Sequence, residues 1–209
     1  ADPPDLWRIV EMGAEMAARE FEVAWEVAGP KTENDIEGQI ELVRAAIAKR
    51  PDALVLAAGD YERLAPLVDE AVNTGIRVVV LDSDVDSDGK ACFVGTDNYE
   101  LGQKLGALVE ERLQNGERFG VIANVETSFT AIERRRGLLD AIENADRRMA
   151  GFAYCDGSME LARQQAIDML EQNPDITCMV GLNESSALGI CFALEELGLA
   201  GKIKLITCD

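Results

Sequence analysis

The sequence predicts an α/β fold in which parallel strands are covered by helices. Short apolar runs rich in β-branched residues alternate along the chain with helix-length segments, and few residues separate them. The run Val78-Val79-Val80-Leu81 has no apolar/polar alternation, which is typical of a strand buried on both faces of a parallel sheet. Strands joined through helices of this length form right-handed crossovers with helices on both faces. At 209 residues, the length allows one large domain or two small lobes.

The first half of the chain opens on a helix, because Asp2 can cap it and Pro3 suits its first turn. A strand is predicted over residues 21–28. Thr32 and Asp35 then resemble a capping box for a second helix. The remaining predicted elements of this half are a strand at 53–57, a helix at 61–73 and a strand at 76–81.

The stretch 78–102 joins the two halves of the chain. Its strand ends on Asp82, and ligands of open α/β sheets sit outside the carboxyl ends of the strands, so Asp82 is a candidate ligand contact. A second apolar run, 91–95, leads through Thr96-Asp97-Asn98 into a helix. At this point the chain is predicted to leave one lobe for the other.

The second half repeats the alternation of strands and helices. Its predicted helices are at 99–113, 131–145, 159–170 and 185–197, and its predicted strands are at 119–123, 151–155, 177–180 and 203–208. The chain begins on a helix and stops at the tip of a strand, whereas a doubly wound sheet places its first strand near the middle. We therefore expect a segment of a longer polypeptide, truncated at both ends and lacking its first strand.

The composition disfavours several classes of function. Twenty Lys and Arg face 39 Asp and Glu, and this net charge of -19 disfavours contact with nucleic acid or anionic membranes. There is no histidine and no glycine-rich nucleotide fingerprint, so no catalytic residues and no cofactor are expected. The run Asp84 to Gly89 matches the opening of a calcium-binding loop, but the twelfth position is Gly95 rather than glutamate. A solvated turn is predicted there, and no metal.

The cysteines give no sign of a metal site or a disulfide framework, because they are odd in number and widely spaced. They are predicted to act as small buried hydrophobes. The five are Cys92, Cys155, Cys178, Cys191 and Cys208. Free thiols weigh mildly against an oxidising periplasm.

Six segments, in the right order over nearly the whole chain, resemble the ribose-binding kind of type I periplasmic binding proteins. They are GPKTENDIEGQIELVRAAI (29–47), RVVVLDSD (77–84), FVGTDNYELG (93–102), ERRRGLLDAI (133–142), NPDITCMVGLNESSALG (173–189) and KLITCD (204–209). The resemblance implies two Rossmann-like lobes joined by a hinge, with a sugar or similar small polar ligand clamped between them. The lobes would be 1–96 and 97–209, the second ending on a hinge strand. The lactose-repressor family shares this core.

The resemblance also implies ligand contacts from both lobes. Trp7 would stack on the apolar face of a sugar ring, and Asp82 would accept hydrogen bonds from two hydroxyls. Arg136, just before Gly137, would hold ring and hydroxyl oxygens with its planar fork. The full implied set is Trp7, Asp82, Arg136, Asn183 and Asp209.

Three departures from the ribose pattern alter the expected pocket. Leu6 replaces one stacking aromatic, Ser83 stands where ribose binders place an arginine, and Gly157 stands where they place a phenylalanine. The pocket should be roomier and less cationic. Phe129, in the loop after a strand, is a candidate replacement for the aromatic wall.

The resemblance implies a non-enzymatic, extracytoplasmic sugar-binding protein that acts as a monomer and delivers its ligand to the membrane permease of an ABC importer. A second interpretation is a sensor: the ligand-binding domain of a histidine kinase, a chemoreceptor or a lactose-repressor-like regulator. A third class, an α/β enzyme, is disfavoured by the missing histidine and the missing cofactor motif.

Overall fold

The computed structural model describes residues 5–114 and 116–208 as an α/β protein. The helices of these residues are α1 (Asp5–Glu20), α2 (Ile36–Ala48), α3 (Ala65–Asn73), α4 (Asn98–Arg112), α5 (Phe129–Asp140), α6 (Ala145–Arg148), α7 (Met159–Gln172) and α8 (Glu184–Glu196). The strands are β1 (Ala53–Leu56), β2 (Arg77–Leu81), β3 (Cys92–Val94), β4 (Arg118–Ala123), β5 (Met149–Tyr154), β6 (Ile176–Gly181) and β7 (Lys204–Thr207).

The strands form two separate sheets, and every pairing is parallel. The first sheet has the order β1-β2-β3 and the second has the order β5-β4-β6-β7. Neighbours that are not consecutive in the chain, such as β4 and β6, require crossovers through the intervening helices. The predicted fold class of parallel sheets in two lobes is therefore confirmed.

The core of the first lobe lies between the sheet β1–β3 and the helices α2 and α3. It contains Leu64, Val68, Val78 and Val80, none of which is exposed. Val78 and Val80 belong to the unalternating run that predicted this strand. The parallel strand forms as predicted, but it is not buried on both faces, because Val79 and Leu81 on the opposite face are only half-buried.

The second sheet is covered by helices on both faces. Along β4, successive side chains point to opposite faces, so Phe119 and Val121 enter a core with α4 and α5. Ile122 enters the other core, formed with α7 and α8. This sheet is the doubly covered arrangement that the alternation of elements predicts.

Residues 21–28 do not form the predicted strand. A strand needs a neighbour that pairs with its backbone, and within the described residues no strand pairs with this segment. Phe21, Val23, Trp25 and Val27 are exposed as a result. Local apolar composition was therefore insufficient to fix a strand here.

Two predicted helices have different ends in the structure. The helix predicted over 61–73 begins only at Ala65, because the carboxylate of Asp60 accepts hydrogen bonds from the backbone N–H groups of Glu62 and Arg63 and stabilises a turn. The helix predicted over 131–145 is interrupted near Asn144, which has a positive φ of 55° and precedes the short helix α6.

Helices α4 and α5 pack with their backbones in direct contact. A Cβ atom added at Gly102 would lie 2.3 Å from the carbonyl oxygen of Arg134, and one added at Gly137 would lie 2.1 Å from that of Tyr99. Real Cβ atoms do not approach backbone oxygens this closely, so glycine is required at both positions.

The run Asp84 to Gly89 forms a turn, as predicted. The side chain of the next residue, Lys90, folds back against this turn. The ammonium group of Lys90 donates hydrogen bonds to the carbonyl oxygens of Val85, at 3.1 Å, and Ser87, at 2.9 Å. It also lies 3.2 Å from a carboxylate oxygen of Asp84. Among the described residues, no group of three or more His, Cys, Asp or Glu side chains could hold a metal ion.

The cysteines divide into buried and exposed thiols. Cys155 and Cys178 are buried as predicted, but Cys92 and Cys191 are exposed and Cys208 is half-buried. The prediction is wrong for the exposed pair because their strand and helix positions face solvent.

No helix within residues 5–114 and 116–208 is both long enough and apolar enough to cross a bilayer.

A thiol reagent at pH 8 should label Cys92 and Cys191 promptly and leave Cys155 and Cys178 unlabelled in the folded protein. Burial raises the pKa of Cys155 to about 11 and that of Cys178 to about 12, so the reactive thiolate is scarce and shielded. Labelling would be followed by mass spectrometry, with denatured protein as the control in which all five react. Rapid labelling of Cys155 or Cys178 without denaturant would contradict this assignment.

Candidate ligand-binding site

The candidate site is the cleft between the two sheets, where loops at the carboxyl ends of their strands meet. The backbone N–H of Tyr61, after β1, donates a 2.8 Å hydrogen bond to the carbonyl oxygen of Thr127, after β4. The Tyr61 ring also stacks on Phe129 of the second lobe, with centroids 5.3 Å apart. The two lobes are therefore in direct contact beside the cleft.

A line of three polar side chains crosses the cleft. The indole Nε1 of Trp7 donates to Oε1 of Glu33 at 3.1 Å. The side-chain amide of Asn124, at the end of β4, donates to Oε2 of the same carboxylate at 2.7 Å. Trp7 is half-buried, whereas the neighbouring Leu6 is 46% exposed. Of the two predicted N-terminal positions, Trp7 is the one tied into the cleft.

Asp82 lies at the tip of β2 in an unusual backbone conformation. Its φ is 61°, in the left-handed region that residues other than glycine seldom adopt. The backbone N–H of Asp82 donates to the carbonyl oxygen of Val94 at 2.9 Å, which keeps the strand tip in place. Rare backbone conformations of this kind cluster at functional sites. The next residue, Ser83, is buried, and its hydroxyl has no hydrogen-bond partner within the described residues.

The two arginines at either end of the Arg134-Arg135-Arg136 run point to different places. Arg136 is on an exposed surface, where its guanidinium pairs with Glu133 at 2.6 Å and lies over the ring of Tyr99. Its side chain is 58% exposed. The structure therefore does not bring Arg136 together with Trp7 and Asp82.

Arg134 is the arginine that faces the junction of the strand ends. Its Nε donates to Oδ1 of Asn98 at 2.8 Å, and its Nη1 donates to the carbonyl oxygen of Leu182 at 2.6 Å. The same nitrogen lies 3.6 Å from the sulfur of Cys208. Because α-helical residues two apart point in different directions, only one end of the arginine run can reach this junction.

Asn183 caps α8 and also lies at the end of β6. Its side-chain oxygen accepts from the backbone N–H of Ser186 at 3.3 Å, while its own N–H donates to the Ser186 hydroxyl at 3.0 Å. The cap uses the oxygen of the side chain, so its amide NH₂ group is a donor that the cap does not use. Asp209, the remaining predicted contact, lies outside the described residues.

Phe129 and Gly157 shape the walls of the cleft. Phe129 stacks on Tyr61 and meets Phe93 edge to face at 6.1 Å, so it belongs to an aromatic group between the lobes. Gly157 has a φ of 73°, and a Cβ atom there would lie 3.0 Å from Oε2 of Glu33. The absence of a side chain at Gly157 leaves the space that Glu33 occupies.

Carboxylates make this part of the cleft electronegative. Burial is the main reason that the pKa of Cys155 is raised, and the charges of Glu33 and Asp156 raise it further. Asp156, at the end of β5, is a second residue with a left-handed backbone, at φ 51°. The carboxyl ends of β2 and β5 therefore both carry an aspartate in a rare conformation.

Sequence reasoning did not single out Glu33, Asn124, Tyr61 or Arg134. Asn124 directly follows β4, so the rule that selected Asp82 could have selected it as well. Nothing local marks Glu33, which lies in a loop before the α2 cap and reaches its partners only through the tertiary fold.

The cleft combines an indole ring, polar groups of both lobes and several carboxylates. This combination is suited to a small ligand with several hydroxyl groups. Sequence and structure comparisons find proteins named for sugar binding or sugar transport among those similar to this chain. A D-ribose/D-allose-binding protein from Pseudomonas aeruginosa is 31% identical over 213 residues, covering 98% of this chain and 67% of that protein. The crystal structure of a sugar transporter from Clostridium phytofermentans is 35% identical, with a TM-score of 0.93, and the match covers 97% of this chain and 75% of that one.

A solute-binding protein of a carbohydrate transporter from Agrobacterium radiobacter, solved in complex with D-arabinose, is also similar. It is 26% identical with a TM-score of 0.89, covering 98% of this chain and 71% of that one. The family model described as "Periplasmic binding protein domain" matches residues 2–209. With a family match over nearly the whole chain and the same two-sheet architecture, this chain belongs to the periplasmic binding protein domain family.

Proposed function

We propose that the chain binds a sugar, or a similar small polar ligand, between its lobes and that the protein delivers it to an ABC importer. The observation that carries this proposal is the hydrogen-bonded line from Trp7 through Glu33 to Asn124, which puts an aromatic face and polar groups of both lobes in one cleft. Sugars need this combination, because their rings have apolar faces and hydroxyl edges. The names of similar proteins, including a D-ribose/D-allose-binding protein, support a sugar.

In the proposed mechanism, each lobe supplies part of the ligand site. Trp7 stacks on the sugar ring, and Asp82 accepts hydrogen bonds from its hydroxyls. Arg134 takes the role that the sequence alone assigns to Arg136, and the Asn183 amide and Asp209 complete the second lobe. Because neither lobe holds the whole site, ligand binding favours the closed arrangement over the open one.

Closure would then give the importer a shape to recognise, and no covalent bond would be made or broken.

We place the boundary between the lobes at residues 96 and 97, since α4 begins at Asn98 and packs on α5 of the second lobe. The protein would act outside the cytoplasm as a monomer, with the permease as its partner.

The test is a thermal-shift screen of pentoses, hexoses and polyols on the parent and on Trp7→Ala and Asp82→Ala. At least one sugar should raise the melting temperature of the parent. Each substitution should weaken binding by about tenfold or more, because loss of ring stacking or of a charged hydrogen bond costs about 1.5–3 kcal/mol.

Leu6→Ala is the matched control for Trp7→Ala, because it removes an exposed apolar side chain from the same helical turn. It should respond to sugar like the parent. If no sugar stabilises the parent, the proposed function is wrong. If both variants respond like the parent, the proposed site is wrong although the function stands.

A further inference from the structure

We propose that Glu33 fixes a negative charge in the cleft and thereby selects neutral sugars and amino sugars against sugar acids. The inference rests on the proposed function, and it narrows the substrate class of that same site. It concerns a residue that neither a sequence motif nor the resemblance had assigned.

The carboxylate of Glu33 is held from both lobes. Its Oε1 accepts from Trp7 in the first lobe, and its Oε2 accepts from Asn124 in the second, at 3.1 Å and 2.7 Å. The side chain is only partly exposed. A carboxylate oxygen has two lone-pair sites, so each oxygen keeps capacity to accept from a ligand hydroxyl or ammonium group. The charge therefore lies beside the indole on which the sugar would stack.

The neighbouring residues leave room for this side chain. Gly157 would meet Glu33 at 3.0 to 3.1 Å if it carried a Cβ atom, with contacts to Oε2, Cβ and Cδ of the glutamate. An alanine at position 157 would require Glu33 to shift by a few tenths of an ångström and would strain the backbone, whose φ is 73°. Glu33 thus lies directly against Gly157.

Within the described residues, no Lys or Arg forms a salt bridge with Glu33. Asp82 and Asp156 end β2 and β5, and both Glu33 and Asp156 raise the pKa of the nearby Cys155 thiol. Position 83, next to Asp82, is a buried and uncharged serine. An anionic ligand would meet an excess of like charge.

Coulomb's law sets the size of the effect. Two like charges about 5 Å apart, at an effective dielectric constant of about 20, repel strongly enough to change an equilibrium constant by about 300-fold. Salt and residual solvent reduce this, so we expect discrimination of about tenfold or more from Glu33 alone.

Glu33→Gln removes the negative charge but can keep the hydrogen bonds to Trp7 and Asn124. The glutamine oxygen can accept from Trp7, and its NH₂ group can donate to Asn124 once the Asn124 amide turns over. The present arrangement leaves Oδ1 of Asn124 buried without a hydrogen-bond partner in the described structure, so this oxygen is available for that donor. The matched control is Glu41→Gln, an equal change of charge at an exposed position of α2.

Isothermal titration calorimetry would compare D-galactose, D-galactosamine and D-galacturonate, and the corresponding glucose series, at low salt. The parent should bind at least one neutral sugar and should bind its uronate at least about tenfold more weakly. Glu33→Gln should recover about tenfold in uronate affinity, lose affinity for the amino sugar, and change neutral-sugar affinity by less than about threefold. Glu41→Gln should match the parent, and unchanged melting curves would show that both variants fold.

The outcomes separate the two proposals. If no sugar of either series binds to the parent, this inference is overturned, and the proposed function falls with it only if no pentose or polyol of the thermal-shift screen binds either. If a neutral sugar binds but the parent takes its uronate equally well, or Glu33→Gln leaves the ratio unchanged, the inference alone is overturned. A loss of all binding in Glu33→Gln would also overturn it, since the hydrogen bonds rather than the charge would then be what matters.

Discussion

Replacing Arg134 by alanine should weaken sugar binding by about 100-fold or more, whereas Arg136→Ala should change it by less than about threefold. Arg134 directs charged donors at the junction of the strand ends, and a hydrogen bond to a charged group is worth about 1.5–3 kcal/mol. Arg136 lies on an exposed helix face with Glu133 and Tyr99, where ion pairs contribute little. Calorimetry with the sugar found in the screen would measure both variants.

Arg134→Ala should also destabilise the protein, because Asn98 is 2% exposed and its side-chain oxygen would lose the donor that Arg134 supplies. An unsatisfied buried polar group costs about 1–3 kcal/mol. Arg134→Lys is the informative companion, since it keeps the positive charge but loses the planar fork. We expect Arg134→Lys to bind sugar better than Arg134→Ala and clearly worse than the parent. Equal losses in Arg134→Ala and Arg136→Ala would restore the assignment made from sequence alone.

Gly137→Ala should lower the free energy of unfolding by about 3 kcal/mol, because overpacking at a close contact costs about 1–3 kcal/mol and occasionally more. The new Cβ would lie 2.1 Å from the carbonyl oxygen of Tyr99 and 2.9 Å from the backbone nitrogen of Gln103. Both neighbours are backbone atoms of α4, which cannot turn aside as a flexible side chain can. The helices would have to move apart.

Gly13→Ala provides the matched control for Gly137→Ala. Gly13 lies inside α1 with no atom within 4 Å of an added Cβ, so alanine should stabilise that helix by about 0.5–1 kcal/mol. Urea denaturation would give both values. A Gly137→Ala protein as stable as the parent would show that α4 and α5 do not pack as closely as described.

The elements that were predicted correctly are those whose signals are local. The β2 strand was recognisable because Val78 and Val80 belong to an unbroken apolar run, and such runs have few alternative interpretations. The capping box expected from Thr32 and Asp35 would make Thr32 the N-cap, but in the structure Asp35 is the N-cap of α2, and its carboxylate accepts from the backbone N–H of Gly38 at 3.0 Å. Thr32, the other half of the expected box, instead donates to the Asn34 side chain.

What the sequence did not reveal depends on partners distant in the chain. Residues 21–28 have strand composition, but pairing requires a neighbour that composition does not supply. The choice between Arg134 and Arg136 depends on the rotation of α5, which the contact of Gly102 with Gly137 helps to set. Glu33 has contacts 26 and 91 residues away, so only the assembled fold identifies it.

The hydrogen bond between Tyr61 and Thr127 joins two backbones, so any non-proline residue at position 61 and any residue at position 127 can make it. The ligand-lining side chains, by contrast, come from other positions, such as Trp7, Glu33 and Asn124. Mutations that change what the cleft accepts can therefore accumulate during evolution while this contact between the lobes persists. The contact between the lobes and the ligand preference of the cleft can therefore change independently of each other.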